Sequence, residues 1–181
     1  MILGFDELQK RLETEKIVEN LAQREIENPE GTGYDLRIGK LFKLQGKSYL
    51  GVEQRETSDV ELVAEYKENE TVSYTIKPGE YYLMQTMETV NIPLDLVATF
   101  VTRTTLFRSG VALLTAAAHP GYKGELTFGI VNQGNIPFEF EFGARVAHVH
   151  FHQITGRSGE YRGQWQGGRV TTGQGNRETQ V

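Results

Sequence analysis

Two arginines and a threonine in the middle of the chain are spaced to hold an anion. In Arg103-Thr104-Thr105-Leu106-Phe107-Arg108-Ser109-Gly110, Thr104 is a predicted N-cap and Gly110 a predicted stop of a short helix. A helix N-terminus carries unpaired N–H groups and partial positive charge, so it attracts anions. Arg103 and Arg108 can converge with the Thr104 hydroxyl on a phosphate. The alternative is a capped surface helix with two solvated arginines.

A second group of residues has the spacing of a metal site. His148, His150 and His152 alternate along one predicted strand, so all three imidazoles lie on the same face. Three imidazoles within reach suit zinc or another transition metal. The alternative, which we favour, is a packed or interfacial histidine face without a metal.

The elements that must position these residues are mostly strands. Residues 1–30 are predicted to be helical, because Phe5, Leu8 and Leu12 recur at helical spacing before Asn28-Pro29 breaks the pattern. From Tyr34 onward, short β-branched and aromatic segments alternate with Gly, Asn and Pro turns. Predicted strands cover residues 72–76, 81–87, 96–102, 125–131, 138–142 and 145–152.

The bulk composition limits the class of protein. With 181 residues, 38% hydrophobic and 24% charged, the chain suits one well-buried globular domain. The lack of cysteine excludes disulfides and the paired-cysteine zinc site of the zinc-dependent cytidine deaminases. A net charge of −5 argues against a nucleic-acid partner. No apolar run approaches the roughly 18 residues of a membrane span. The lack of cysteine fits a cytoplasmic protein, which is what we expect.

The C-terminal segment differs from the rest of the chain. Residues 158–181 are rich in Gly, Gln, Arg and Thr, so we predict a flexible lid or arm after a β domain at residues 1–157. Glycines permit close backbone approach, Arg169 can pair with phosphate, and Trp165 can stack on a base. A disordered glycine-rich tail is the alternative.

Four segments, in order along the chain, resemble motifs of the trimeric dUTPase/dCTP deaminase family. The order and most of the spacing hold from Gly33 to about Thr172, so the chain is identified as a member of this family. The segments are Gly33-Tyr34-Asp35-Leu36-Arg37, Arg103–Gly110, Pro120-Gly121-Tyr122-Lys123-Gly124 leading to Asn132-Gln133-Gly134-Asn135, and Gly143-Ala144-Arg145-Val146-Ala147 with Phe151.

The resemblance implies a fold, an assembly and a ligand. The fold would be an all-β distorted barrel or jelly roll with an N-terminal helix, assembled as a homotrimer with its site between subunits. The ligand would be a deoxynucleoside triphosphate, dCTP or dUTP, with Mg²⁺ bound through the triphosphate. The implied phosphate-binding residues are Arg103, Thr104, Thr105, Arg108 and Gln164, the nucleoside-binding residues are Ala118, Tyr122 and Gly129, and the lid residues are Trp165, Arg169 and Thr171.

The sequence departs from the family pattern where the chemistry is done. The Asp that activates water in dUTPases is replaced by His119, and the general-base Glu of dCTP deaminases is replaced by Gly129. Three hypotheses therefore stand. The chain is a dCTP deaminase- or dUTPase-like hydrolase with His119 as its base, a non-catalytic nucleotide-binding sensor or regulatory partner, or a metal-binding protein whose histidine strand is the site.

Overall fold

The structure is a computed structural model that describes residues 1–180, and these form thirteen strands and three helices. The helices are α1 (Phe5–Glu15), α2 (Gln23–Glu27) and α3 (Thr104–Arg108). The strands are β1 (Val18–Glu19), β2 (Gly33–Gln45), β3 (Tyr49–Leu50), β4 (Gln54–Glu56), β5 (Asp59–Glu65), β6 (Ser73–Ile76), β7 (Tyr81–Asn91), β8 (Leu96–Thr102), β9 (Val111–Leu114), β10 (Lys123–Asn132), β11 (Phe138–Glu141), β12 (Arg145–Gln153) and β13 (Glu178–Thr179).

One strongly bent antiparallel sheet forms the body of the molecule. Its strands follow the order β8-β12-β2-β7-β10-β9, with β1 added to β7 and β5 added to β2. Alternation along the strands sends every second side chain into the core, as with buried Leu96, Ala98 and Phe100 on β8. The all-β, barrel-like fold predicted from the sequence is confirmed.

The N-terminal region and the internal helix differ in detail from prediction. Residues 1–30 contain two helices separated by strand β1, not one helical stretch, because buried Ile17 and Val18 leave the helix to join β7. Helix α3 begins at Thr104 itself, so Arg103, not Thr104, is at the N-cap. The predicted stop is correct, since Gly110 has a φ of 81° that favours glycine.

The C-terminal segment packs against its own chain. Strand β13 pairs with β4, and β4 pairs with β3 to form a small separate sheet. The Thr57 N–H donates to the Thr172 hydroxyl (2.9 Å) and the Thr172 N–H donates to the Thr57 hydroxyl (2.8 Å). These contacts hold the tail along the edge of the barrel. Within residues 1–180, no helix is both long and apolar enough to cross a membrane.

Candidate functional site

A cavity opens where the β9–β10 hairpin splits. The ladder between these strands runs from Val111–Asn132 to Leu114–Gly129. The two segments meet again at the turn, where the Tyr122 N–H donates to the His119 carbonyl (3.0 Å). Between these points lies a cavity of about 520 Å³. A cavity of this size is ordinary for a small-molecule ligand.

The cavity wall is apolar, with a few polar groups at its edge. Ala118, Tyr122 and Phe128 contribute the hairpin side, and Phe128 is supported by Phe100 at a ring separation of 5.1 Å. The Tyr122 hydroxyl donates to the Glu125 carbonyl (2.6 Å), which fixes the ring. Burial, with smaller contributions from Tyr161 and Glu125, raises the pKa of Tyr122 to about 12, so its hydroxyl stays protonated. Such a wall can hold a planar, uncharged group.

His119 is a polar group of this cavity and is exposed to solvent. Its position is set by both neighbours in sequence. The Ala118 N–H and carbonyl exchange hydrogen bonds with Ala98 (2.9 and 3.0 Å), and Pro120 rigidifies the turn that follows. An imidazole held at the mouth of a cavity can exchange a proton with a bound ligand or water.

Gly129 does not line the cavity, and a tyrosine takes up its side-chain space. A Cβ built on Gly129 would lie 2.5 Å from the Tyr81 hydroxyl oxygen. Burial raises the pKa of Tyr81, so this hydroxyl is protonated at neutral pH. Gly129 therefore supplies no carboxylate at the position where the family pattern has one, and the Tyr81 hydroxyl occupies the space that such a side chain would need.

The tail crosses the open side of the cavity. All three predicted lid residues, Trp165, Arg169 and Thr171, lie on the cavity wall. Gln164 does not: its carboxamide oxygen accepts a hydrogen bond from the Arg55 guanidinium. The structure therefore brings the lid residues together with Ala118, His119 and Tyr122 in one chain.

Residues 161–168 dock on the hairpin turn mainly through backbone groups. The Gly167 N–H donates to the Lys123 carbonyl (2.8 Å), and the Gln166 carboxamide bridges two further backbone groups of the turn. Gly124 and Gly168 allow the close approach, since a Cβ on Gly124 would overlap the Gly168 backbone. The glycine content of the tail was the sequence signal for this approach.

Sequence reasoning missed several polar residues of the cavity. Ser48, Thr57 and Ser58 line the wall opposite the hairpin, and the Thr57 hydroxyl lies 2.7 Å from that of Thr171. These residues belong to no motif, and only the fold brings them to the site. Thr127 also lines the cavity, with a buried hydroxyl that has no hydrogen-bond partner within residues 1–180.

The predicted phosphate residues lie elsewhere. Arg103 follows β8 and forms an ion pair with buried Asp35 on β2. Helix α3 carries the other three, Thr104, Thr105 and Arg108. All three side chains are exposed to solvent and do not line the cavity. Arg103 is five residues beyond Ala98, the bridge partner of Ala118, which corresponds to about 16 Å of strand. Within residues 1–180, the phosphate residues and the hairpin cavity do not form one pocket.

Asp35 organises a charged cluster that was not predicted. Besides Arg103, its carboxylate accepts hydrogen bonds from Arg145 (2.9 Å) and His148 Nδ1 (2.8 Å). Its N–H donates to the Glu25 carboxylate (2.9 Å), and both acids are 1% exposed. The charges of Arg103 and Arg145 compensate the buried carboxylates, and His148 adds a hydrogen bond. Asp35 and Arg145 lie in the sequence segments that carried the family resemblance.

The histidine strand does not form a metal site. The ring centroids of His148 and His150 are 4.8 Å apart and those of His150 and His152 are 6.5 Å apart. His148 is engaged by Asp35, while His152 Nε2 lies 2.8 Å from the Thr99 hydroxyl. No group of three or more His, Asp or Glu side chains in residues 1–180 is arranged to hold a metal ion.

The chain is similar in sequence to proteins of one family. A family model described as dCTP deaminase-like matches residues 2–154. The "dCTP deaminase, dUMP-forming" of Dictyoglomus turgidum is 29% identical over 160 residues, covering 86% of this chain and 81% of the relative. The dCTP deaminase of Pyrococcus furiosus is 34% identical over 142 residues, covering 78% and 80%. A probable deoxyuridine 5′-triphosphate nucleotidohydrolase of Methanopyrus kandleri is 30% identical over 135 residues. The match covers 74% of this chain and 84% of that relative.

A solved structure supports the fold. The crystal structure of 2′-deoxycytidine 5′-triphosphate deaminase from Agrobacterium tumefaciens matches with a TM-score of 0.63 at 16% identity. The match covers 85% of this chain and 48% of that one, so the chain spans about half of that protein's length. Since the family model matches most of the chain, the protein belongs to the dCTP deaminase-like family.

Proposed function

We propose that this protein binds a pyrimidine deoxynucleoside triphosphate, dCTP or dUTP, with the nucleoside in the hairpin cavity. The observation that carries the proposal is the cavity of about 520 Å³ formed where Ala118 and Tyr122 diverge from Phe128. The Tyr122 ring lies on the cavity wall and offers a flat surface for the sugar. The names of the relatives, dCTP deaminases and a probable dUTP nucleotidohydrolase, support this class of ligand.

The triphosphate would be held by a second copy of the chain. Arg103 and Arg108 supply the cationic groups, but they stand apart from the cavity of their own subunit. Apolar surface beside them supports such an assembly: Phe107 on α3 is 55% exposed and Val101 at the end of β8 is 47% exposed. A homotrimer, with each site formed between subunits, satisfies both features.

Mg²⁺ would enter with the nucleotide. The described residues offer no cluster of protein ligands for a metal, whereas the triphosphate supplies oxygen ligands of the kind Mg²⁺ prefers. Bound this way, the metal neutralises phosphate charge. The protein's own contribution is positioning by Arg103, Thr104, Thr105 and Arg108.

Hydrolysis by His119 is the candidate chemistry. His119 lies on the cavity wall and is exposed, so water can reach its ring. The imidazole would accept a proton from a water that attacks the α-phosphorus. The bond from that phosphorus to the oxygen bridging the α- and β-phosphates would break, and pyrophosphate would leave. Deamination by the route of the family's glutamate is not proposed, since Gly129 has no side chain and Tyr81 fills its space.

Binding and turnover are separated by one set of experiments. Calorimetry with dCTP, dUTP, CTP and UTP in the presence of Mg²⁺ measures affinity, and chromatography of the same mixtures detects uracil nucleotides and pyrophosphate. We expect micromolar binding of the deoxynucleotides. If His119 is the base, His119→Ala loses about 10²–10⁴ in turnover while keeping the affinity. Full turnover in that variant removes His119 from the chemistry, and binding without turnover in the wild type favours a sensor or regulatory partner.

A further inference from the structure

His148 and Arg103 are bound to the same buried carboxylate. His148 Nδ1 lies 2.8 Å from one oxygen of Asp35, and the Arg103 guanidinium pairs with the other. Arg145 bonds to the same oxygen as Arg103 (2.9 Å). Because Asp35 is 1% exposed, these side chains and not water compensate its charge. A change of charge on one partner of Asp35 therefore changes how strongly the carboxylate holds the others.

The backbone places His148 and Arg103 next to each other. His148 pairs with Val101 in the ladder between β12 and β8, and Arg103 follows two residues later, where its N–H donates to the Val146 carbonyl (3.0 Å). The Arg103 side chain is 27% exposed, whereas the His148 side chain is 16% exposed. Asp35 thus connects an arginine that a phosphate can reach to an imidazole that lies deeper in the protein.

We infer that His148 is a positioning residue of the phosphate site, which acts on Arg103 through Asp35 and couples triphosphate binding to proton uptake by its imidazole. This inference rests on the proposed function, because it takes Arg103 as a ligand of the triphosphate. It adds a residue that neither touches the nucleotide nor lines the cavity.

A bound triphosphate raises the pKa of His148 by either of two routes. If Arg103 keeps its bond to Asp35 and reaches the phosphate with its other N–H groups, the phosphate charge stabilises the imidazolium. If Arg103 moves from Asp35 to the phosphate, the carboxylate loses a cationic partner and stabilises a proton on His148 instead. Both routes have the same sign. Nucleotide binding therefore takes up protons, and by reciprocity the affinity rises as the pH falls.

The surroundings of His148 keep its imidazole neutral before the nucleotide binds. Burial lowers its pKa most strongly, Glu25 and more weakly Glu30 oppose this effect, and the Arg103 charge lowers the pKa further. The charged and titratable groups that face the ring directly or through Asp35 are Glu25 on α2, Glu30 in the loop that follows, Asp35 on β2, Arg103 after β8, and Arg145 and His150 on β12. The gain in affinity begins as the pH falls through the pKa of the complex and is complete below the pKa of the free protein.

The dependence of affinity on pH tests the coupling. Calorimetry with dUTP and Mg²⁺ at pH 7 and pH 5.5 compares the wild type with His148→Gln, because protonation of the nucleotide contributes equally to both proteins. We expect the wild type to gain about three- to tenfold in affinity relative to His148→Gln at the lower pH, since raising one pKa by about one unit changes a linked affinity up to tenfold. The matched control is His152→Gln on the same strand, which should behave as the wild type because His152 bonds to Thr99 and not to Asp35.

A second measurement follows the imidazole itself in the wild type. The chain has four histidines, so NMR titration can give the pKa of each ring, and the spectra of single histidine variants assign the signals. The pKa of His148 should be higher with dUTP than in the free protein, whereas deoxyuridine, which has no phosphate, should leave it unchanged. A rise with both ligands would assign the effect to the cavity and overturn the coupling.

The outcomes separate this inference from the function on which it rests. Wild-type binding of dUTP with an unchanged pKa of His148, or with the same pH dependence as in His148→Gln, overturns the coupling alone. Absence of dUTP binding by the wild type at both pH values overturns the proposed function and the coupling together.

Discussion

The Tyr81 hydroxyl oxygen lies 2.5 Å from the position that a Cβ on Gly129 would occupy. Strand β7 thus covers the residue of β10 at which the family pattern has a catalytic carboxylate. In this protein, the position without the carboxylate, Gly129, is also the one whose side-chain space Tyr81 occupies. A glutamate at this position would have to displace the tyrosine ring, which is 37% exposed.

Restoring the missing glutamate should therefore cost stability. We expect Gly129→Glu to lower the free energy of unfolding by about 1 kcal/mol, because Tyr81 must leave its site. In a Tyr81→Ala background, the same substitution should cost clearly less. Urea unfolding of the four proteins in this double-mutant cycle gives the coupling. Additive effects would show that the two residues do not compete for space.

The two arginines proposed for phosphate binding should differ in their structural roles. Arg108 is exposed, so Arg108→Ala should weaken dUTP binding about tenfold or more while changing stability by less than about 0.5 kcal/mol. Arg103 also compensates buried Asp35, so Arg103→Ala should weaken binding and cost about 1–3 kcal/mol of stability. Calorimetry and urea unfolding measure the two effects.

The control for this pair is Arg157→Ala, which removes an exposed arginine far from α3 in sequence. Arg157→Ala should change neither the affinity for dUTP nor the free energy of unfolding. Equal stabilities of Arg103→Ala and Arg108→Ala would contradict the role given to Asp35.

The histidine face should make stability depend on pH below neutrality. Burial, reinforced by the nearby Arg103 charge, lowers the pKa of His148 against an opposing effect of Glu25, and burial also lowers the pKa of His150. Below the ordinary histidine pKa of about 6.5, the unfolded chain binds protons that the folded chain does not, so stability falls as the pH falls. The contribution of these two residues is fully present above about pH 7.

Glutamine at these positions removes the titration. The midpoint of thermal unfolding should drop less between pH 7 and pH 5.5 in His148→Gln/His150→Gln than in the wild type. A glutamine in place of His148 can still donate a hydrogen bond to Asp35, so the variant should fold. Parallel pH profiles of the two proteins would mean that these histidines are not the groups responsible.

Tyr122 should govern the choice between deoxyribose and ribose. Its ring is buried and held by the hydrogen bond to Glu125, so a 2′-hydroxyl packed on it would meet an apolar surface. Tyr122→Phe should keep the preference for dUTP over UTP, whereas Tyr122→Leu should reduce it severalfold. The ratio of the two dissociation constants is the measurement, and loss of the preference in Tyr122→Phe would assign it to the hydroxyl instead of the ring.

Local patterns predicted much of this protein. Strand β8 was predicted with its observed ends, because Leu96–Thr102 alternates between turn residues, and the Gly110 stop of α3 follows from its backbone geometry. The strand β1 in the N-terminal region was missed. A segment of two residues is too short to show an alternating pattern, and β1 is a strand only because it pairs with β7.

Part of the cavity lining follows from the sequence for a similar reason. Ala118, His119 and Tyr122 are neighbours in sequence, so their motif fixes their proximity. Ser48, Thr57 and Ser58 reach the cavity only through the packing of a distant segment, and no short pattern reveals it. The contact of Gln166 with the turn likewise depends on tertiary structure.

In the proposed assembly, two copies of the chain complete each nucleotide site. Arg108→Ala and Tyr122→Leu damage opposite halves of that site, so subunits carrying each change should complement one another in a mixed oligomer. If the co-expressed variants assort at random, about a quarter of the sites between subunits combine an intact Arg108 with an intact Tyr122. Calorimetry of the mixed oligomer should show that fraction binding dUTP with wild-type affinity, and a mixture that binds no better than the separate variants would contradict the account.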